Sequence, residues 1–103
     1  MGSGVNRMMT GSLVGTGSAI NVRTVTFRPR KVEIFNVSGV CMAVWTNTMA
    51  DASALKTVDS GAGATDISFV TSDGITPLSD GFTLGADSDL NASGETVHWV
   101  AHQ

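Results

Sequence analysis

Tyrosine is missing from this 103-residue sequence, cysteine occurs once, and tryptophan and proline twice each. The single thiol, Cys41, excludes an intrachain disulfide. The opening Met1-Gly2-Ser3-Gly4 has no charged region followed by an apolar stretch, so no secretory leader is expected and synthesis inside the cell is. Asn6 stands where a myristoylation motif requires Ser or Thr. No apolar run approaches the roughly 18–20 residues needed to cross a bilayer, so a membrane partner is not expected.

Charge is also scarce. Charged residues make up 15% of the chain, against about 25% in ordinary soluble domains, which leaves a surface rich in Ser, Thr, Asn and Gly. Six Lys and Arg against nine Asp and Glu give a net charge of −3. Phosphate binding needs a concentrated positive field, so nucleic acid is not an expected partner. Arg23, Arg28, Arg30 and Lys31 do cluster, and the plain reading is a set of strand-edge charges that discourage aggregation. Four Phe and two Trp fill a small core but do not line a deep ligand cavity. The length suits one domain with a narrow margin of stability, of the kind that small β modules extend by oligomerising or docking.

What is present is a β pattern. The first eighteen residues hold five Gly and three Ser and read as a flexible arm that orders by lying along a surface, its own or a neighbour's. From Ala19 the chain alternates: Ile20, Val22 and Thr24 against Asn21, Arg23 and Val25. Pro29 marks a boundary, and strands are expected over Lys31–Val37, Val40–Thr46, Asp66–Thr71, Gly81–Gly85 and Glu95–Ala101. Met49–Lys56 has a helix-forming composition but is short and reads as an elaborated loop, continued by Gly61-Ala62-Gly63-Ala64. Ser72-Asp73-Gly74 and Ser79-Asp80-Gly81 are turn signals. The expected fold is all-β: an antiparallel β-sandwich or jelly-roll-like barrel over residues 19–103, preceded by a flexible Gly-rich N-terminal arm over residues 1–18.

The candidates for chemistry are Cys41, His98, His102 and the carboxylates. Cys41, between Val40 and Met42, reads as a small core hydrophobe. On a strand, His98 and His102 would share a face about 13 Å apart, too far to grip one metal ion. Asp87-Ser88-Asp89-Leu90-Asn91 imitates the opening of a calcium loop, but Ala92 replaces the turn glycine and His98 the bidentate Glu, so a turn held by Asx hydrogen bonds is the simpler account. Gly15-Thr16-Gly17 lacks the strand, helix and Gly-Lys-Ser/Thr of a phosphate loop. No catalytic residue, cofactor or metal is expected.

Gly15-Thr16-Gly17-Ser18-Ala19-Ile20-Asn21-Val22, Phe27-Arg28-Pro29-Arg30-Lys31-Val32, Asn36-Val37, Trp45 and Met49-Ala50-Asp51 form one part of a further pattern. Gly81-Phe82-Thr83-Leu84-Gly85, Asn91-Ala92-Ser93-Gly94-Glu95 and Trp99-Val100-Ala101 complete it. Together they resemble a family of small virion proteins from tailed bacteriophages, over most of the chain from Gly11 onward. The resemblance implies a capsid decoration, or cement, protein on the phage head surface, made in the host cytoplasm. Its partners would be the major capsid protein and copies of itself. A tail or fibre β module that contacts the tail or a host receptor is the alternative, and its mark would be an exposed aromatic patch, for which Trp45 and Trp99 are the large candidates. For docking, the arm residues Val5, Met8, Met9 and Leu13 and the basic group Arg28, Arg30 and Lys31 are the expected contacts. Removal of residues 1–14 is then expected to leave the domain folded and to weaken incorporation into particles.

Overall fold

The computed structural model describes residues 7–61 and 63–103. Among them are eight β-strands and no helix. They are β1 (Met8–Val14), β2 (Ile20–Val22), β3 (Lys31–Asn36), β4 (Cys41–Thr46), β5 (Ser53–Gly61), β6 (Ala64–Leu78), β7 (Gly81–Leu84) and β8 (Thr96–His102). All belong to one antiparallel sheet in the order β1-β8-β3-β4-β5-β6-β7-β2.

Period-2 patterning sets the inner face. Val32, Ile34 and Asn36 on β3, Cys41, Ala43 and Trp45 on β4, and Val97, Trp99 and Ala101 on β8 are buried, while their neighbours in sequence are half-buried or exposed. Large and small side chains alternate across the ladder: Ile34 lies between Ala43 and Trp99, and Val32 between Trp45 and Ala101. β1 extends the pattern with Gly11 opposite Trp99. A Cβ at Gly11 would sit 2.5 Å from the Trp99 ring, so the indole lies directly on the β1 backbone.

The sheet curls. In the sheet order, four strands separate β8 from β7, which in a flat sheet would hold them about 24 Å apart. Yet the Trp99 and Phe82 rings meet edge to face with centroids 5.5 Å apart. The core therefore lies inside the curve, closed by Val25, Phe27 and Leu90 from the connecting loops. Asn91 seals one end: its Nδ2 donates to Ser18 O at 2.7 Å and Gly85 O at 2.9 Å, and its Oδ1 accepts from Thr16 N at 2.9 Å. These bonds tie the β1–β2 connection to the β7–β8 loop.

The structure departs from the sequence reading in three places. Residues 8–14 of the expected arm form β1, a seven-residue ladder along β8 of the same chain, so this segment belongs to the sheet and the boundary at residue 18 does not separate it from the domain. The segment expected to be an elaborated loop ends in β5, because pairing with β4 and β6 outweighs the weak helix preference of Ala and Lys. The Ser72-Asp73-Gly74 signal marks a bulge inside β6. Ala54 pairs with Val70 and Ser53 with Ile75, so residues 71–74 are extruded, with Asp73 at a φ of 58°. Beyond the bulge β6 turns to pair with β7.

Candidate docking surface

The outer face of the sheet is unusually apolar at one side. In register, β3 to β6 place Phe35, Met42, Thr57 and Ile67 in one row and Glu33, Val44, Leu55 and Phe69 in the next. Ile67 is 69% exposed, Phe69 56%, Leu55 43% and Met42 42%. A groove of about 430 Å³ continues this surface between Phe35, Met42 and Thr57 and the turn residues Val37 and Val40. The far half of the β5–β6 hairpin projects from the body, with residues 64–69 exposed on both faces. Its two faces differ: Thr65, Ile67 and Phe69 point outward, and Asp66 and Ser68 point to the other side. Among the described residues, the edge of residues 64–70 away from β5 has no strand partner, because β7 pairs with Ile75–Leu78.

Of the residues expected to dock, Val5 lies outside the described residues. Met8 and Met9 are exposed at the start of β1, whereas Leu13 is half-buried against the core and serves packing. Met8 and Lys31 both pair with His102 across β8, and Arg30 N donates to His102 O at 2.8 Å. The register thus gathers Met8, Arg30 and Lys31 at one end of the sheet. Arg28 and Arg30 are exposed there, and Lys31 lies 3.8 Å from Glu33. Asp59, Asp66 and Glu95 mark the other end, beside the hairpin tip and the start of β8.

The acidic segment after β7 forms a clasp that the sequence reading missed. Lys56, on the inner face of β5, places its Nζ 3.0 Å from Asp87 Oδ2 and 2.8 Å from Asp89 Oδ2, with the Lys56 side chain 12% and that of Asp87 8% exposed. Asp87 Oδ1 also accepts from Asp89 N at 2.9 Å and Leu90 N at 3.0 Å, which is the expected Asx turn. Burial pushes the Asp87 carboxyl up, but the Leu90 amide, the Lys56 ammonium and the Asp89 amide outweigh it, and its pKa is lowered. The Asp87 oxygens are thereby engaged by an ammonium and two amides. A lysine opposite two aspartates 31 and 33 residues later is a signal the residue order contains, but nothing in that order says that the three meet.

Cys41 is buried and donates to Asp89 O at 3.2 Å. Burial, reinforced by Asp89 and Asp87, raises its pKa to about 11, so it stays a thiol at neutral pH, as a core residue would. His98 and His102 lie on β8, four residues apart on the outer face, with His102 3.4 Å from Glu33. Trp45 and Trp99 are 1% and 4% exposed and belong to the core. No family model matches the chain, and no curated protein or solved structure is significantly similar to it.

Proposed function

We propose that this chain is a structural virion protein without catalytic activity, a capsid decoration protein that binds across neighbouring major capsid subunits and copies of itself to strengthen the head. The observation that carries the reading is the outer face: a projecting hairpin and neighbouring strands present Ile67, Phe69, Leu55 and Met42 to solvent on a domain of little charge. Exposed apolar surface of this kind marks a contact face. Of the candidates for chemistry, Cys41 is a buried thiol and Asp87 is held in an ion pair. A curled sheet around a small core is compatible with the sandwich or jelly-roll-like class. On a symmetric shell, modest contacts repeated many times add to a firm attachment.

Trp45 and Trp99, the large aromatic candidates of the tail or fibre reading, are buried, which supports the head reading over it. The test is copurification. The purified chain, mixed with DNA-filled heads stripped of accessory proteins, should bind at high and saturable copy number. Binding to tails alone, or to neither, overturns the proposal.

A further inference from the structure

We propose that the outer face of β3–β6 is the interface of a two-fold dimer of this chain, the two faces packed against each other with their strands running in opposite directions. This rests on the self-associating part of the function proposed above and is independent of what shell the dimer would decorate.

The hairpin shows which side is meant for burial. Residues 64–69 are exposed on both faces, and the inner side is already engaged lower down by Lys56 and Val58, yet the outer one carries Ile67 and Phe69 and the other Asp66 and Ser68. Period-2 segregation in a strand is the pattern of a surface with one covered face. The apolar side is continuous with Leu55, Val44, Met42 and Phe35, and so with the groove that ends between Val37 and Val40. A second sheet laid about 10 Å away would cover all of it, as in sheet-on-sheet packing.

Charge selects a second copy as the occupant and sets its direction. On the outer face the apolar zone is flanked by Lys31 at the start of β3 and Asp59 near the hairpin tip. Six residues along β4 separate their rows, Lys31 lying opposite Thr46 and Asp59 opposite Val40, or about 20 Å. Arg28 and Arg30 lie at the Lys31 end, so that it stays basic although Glu33 is 3.8 Å from Lys31, while Asp59 stands at the other end of the same face. A two-fold axis between the faces, running across the strands, sets the basic end of each copy against the acidic end of the other. The parallel arrangement would oppose like ends. The antiparallel one is therefore self-complementary, as an isologous interface requires.

Sedimentation equilibrium of the full chain, over roughly micromolar to several hundred micromolar concentration, tests this. Twice the chain mass is expected, with Ile67→Asp and Phe69→Ser together giving the single-chain mass and an unchanged circular dichroism spectrum. Ser68→Asp, on the other side of the same hairpin, should leave the dimer intact. Lys31→Glu should weaken association several-fold, and Asp59→Lys added to it should restore it. A single-chain mass at all concentrations overturns the proposal, as does a dimer indifferent to Ile67→Asp and Phe69→Ser. If the chain is monomeric in solution yet needs Ile67 and Phe69 to bind heads, the occupant of the face is a shell protein and the proposal also fails. A dimer that ignores heads leaves this interface standing and removes the virion reading alone.

Discussion

Lys56 makes the plainest residue-scale statement about how this fold holds its charges. Its ammonium is taken out of water to meet Asp87 and Asp89, and the cost of its burial is outweighed by the hydrogen bonds it donates to Asp89 and Asp87, so that its pKa is raised above 10.5. Asp87 is shifted the other way, below its usual 3.8. The raised group contributes stability below pH 10.5 that disappears as pH climbs through its folded pKa. The lowered group contributes stability above pH 3.8 that disappears as pH falls through its folded pKa. Lys56→Met leaves the Asp87 carboxylate buried on its two amides alone and should cost about 2 kcal/mol at pH 7. Chemical denaturation across pH should show the gap between wild type and variant narrowing below pH 3.8, where Asp87 takes up a proton. A gap constant with pH would show that the loss is one of packing.

At the scale of the element, β1 and the β5–β6 hairpin were the hardest parts to read. β1 has the composition of a loose arm, MMTGSLV, and no alternating apolar face; its place comes from the β8 edge and from Trp99, which needs a residue without a side chain at Gly11. Truncation can test this directly. Removal of residues 1–6 leaves the β1–β8 ladder whole and should keep the melting temperature. Removal of residues 1–14 strips the ladder, uncovers Trp99 and deletes Leu13, and should destabilise the domain by about 2–4 kcal/mol in denaturant titration. Equal stability of the two truncations would show that β1 contributes nothing to the fold. The other strands were more legible. β3, β4 and β8 alternate in sequence as they do in burial, and their expected bounds lie within a residue of those observed at every end. β6 was seen in part, because its middle carries turn residues that the structure uses as a bulge.

The whole molecule depends on curling one sheet until its distant strands touch. Phe82, fully buried on β7, meets Trp99 on β8 across the interior, and Asn91 ties the loops at one end. Phe82→Ala should therefore cost about 3–5 kcal/mol and lower stability in a single transition that tryptophan fluorescence and far-UV circular dichroism report together. If the two signals separated, β7 and β2 would be shown to fold apart from the rest. At this scale the candidate docking surface emerges as well. A strand over Asp66–Thr71 puts Ile67 and Phe69 on one face, but sequence alternation looks the same whether that face meets the protein's own core or the solvent.

The strand segments that became β3, β4, β7 and β8, and the reading of Cys41 as a small core residue, followed from the sequence alone. They depend on local periodicity and residue chemistry, which neighbours in the chain display. The pairing of β1 with β8, the Lys56 clasp across 31 residues and the contact of Phe82 with Trp99 were decided by tertiary structure. So was the choice of which apolar face stays uncovered. Each is a meeting of segments distant in sequence, and its energy exists only once the sheet has curled to bring them together.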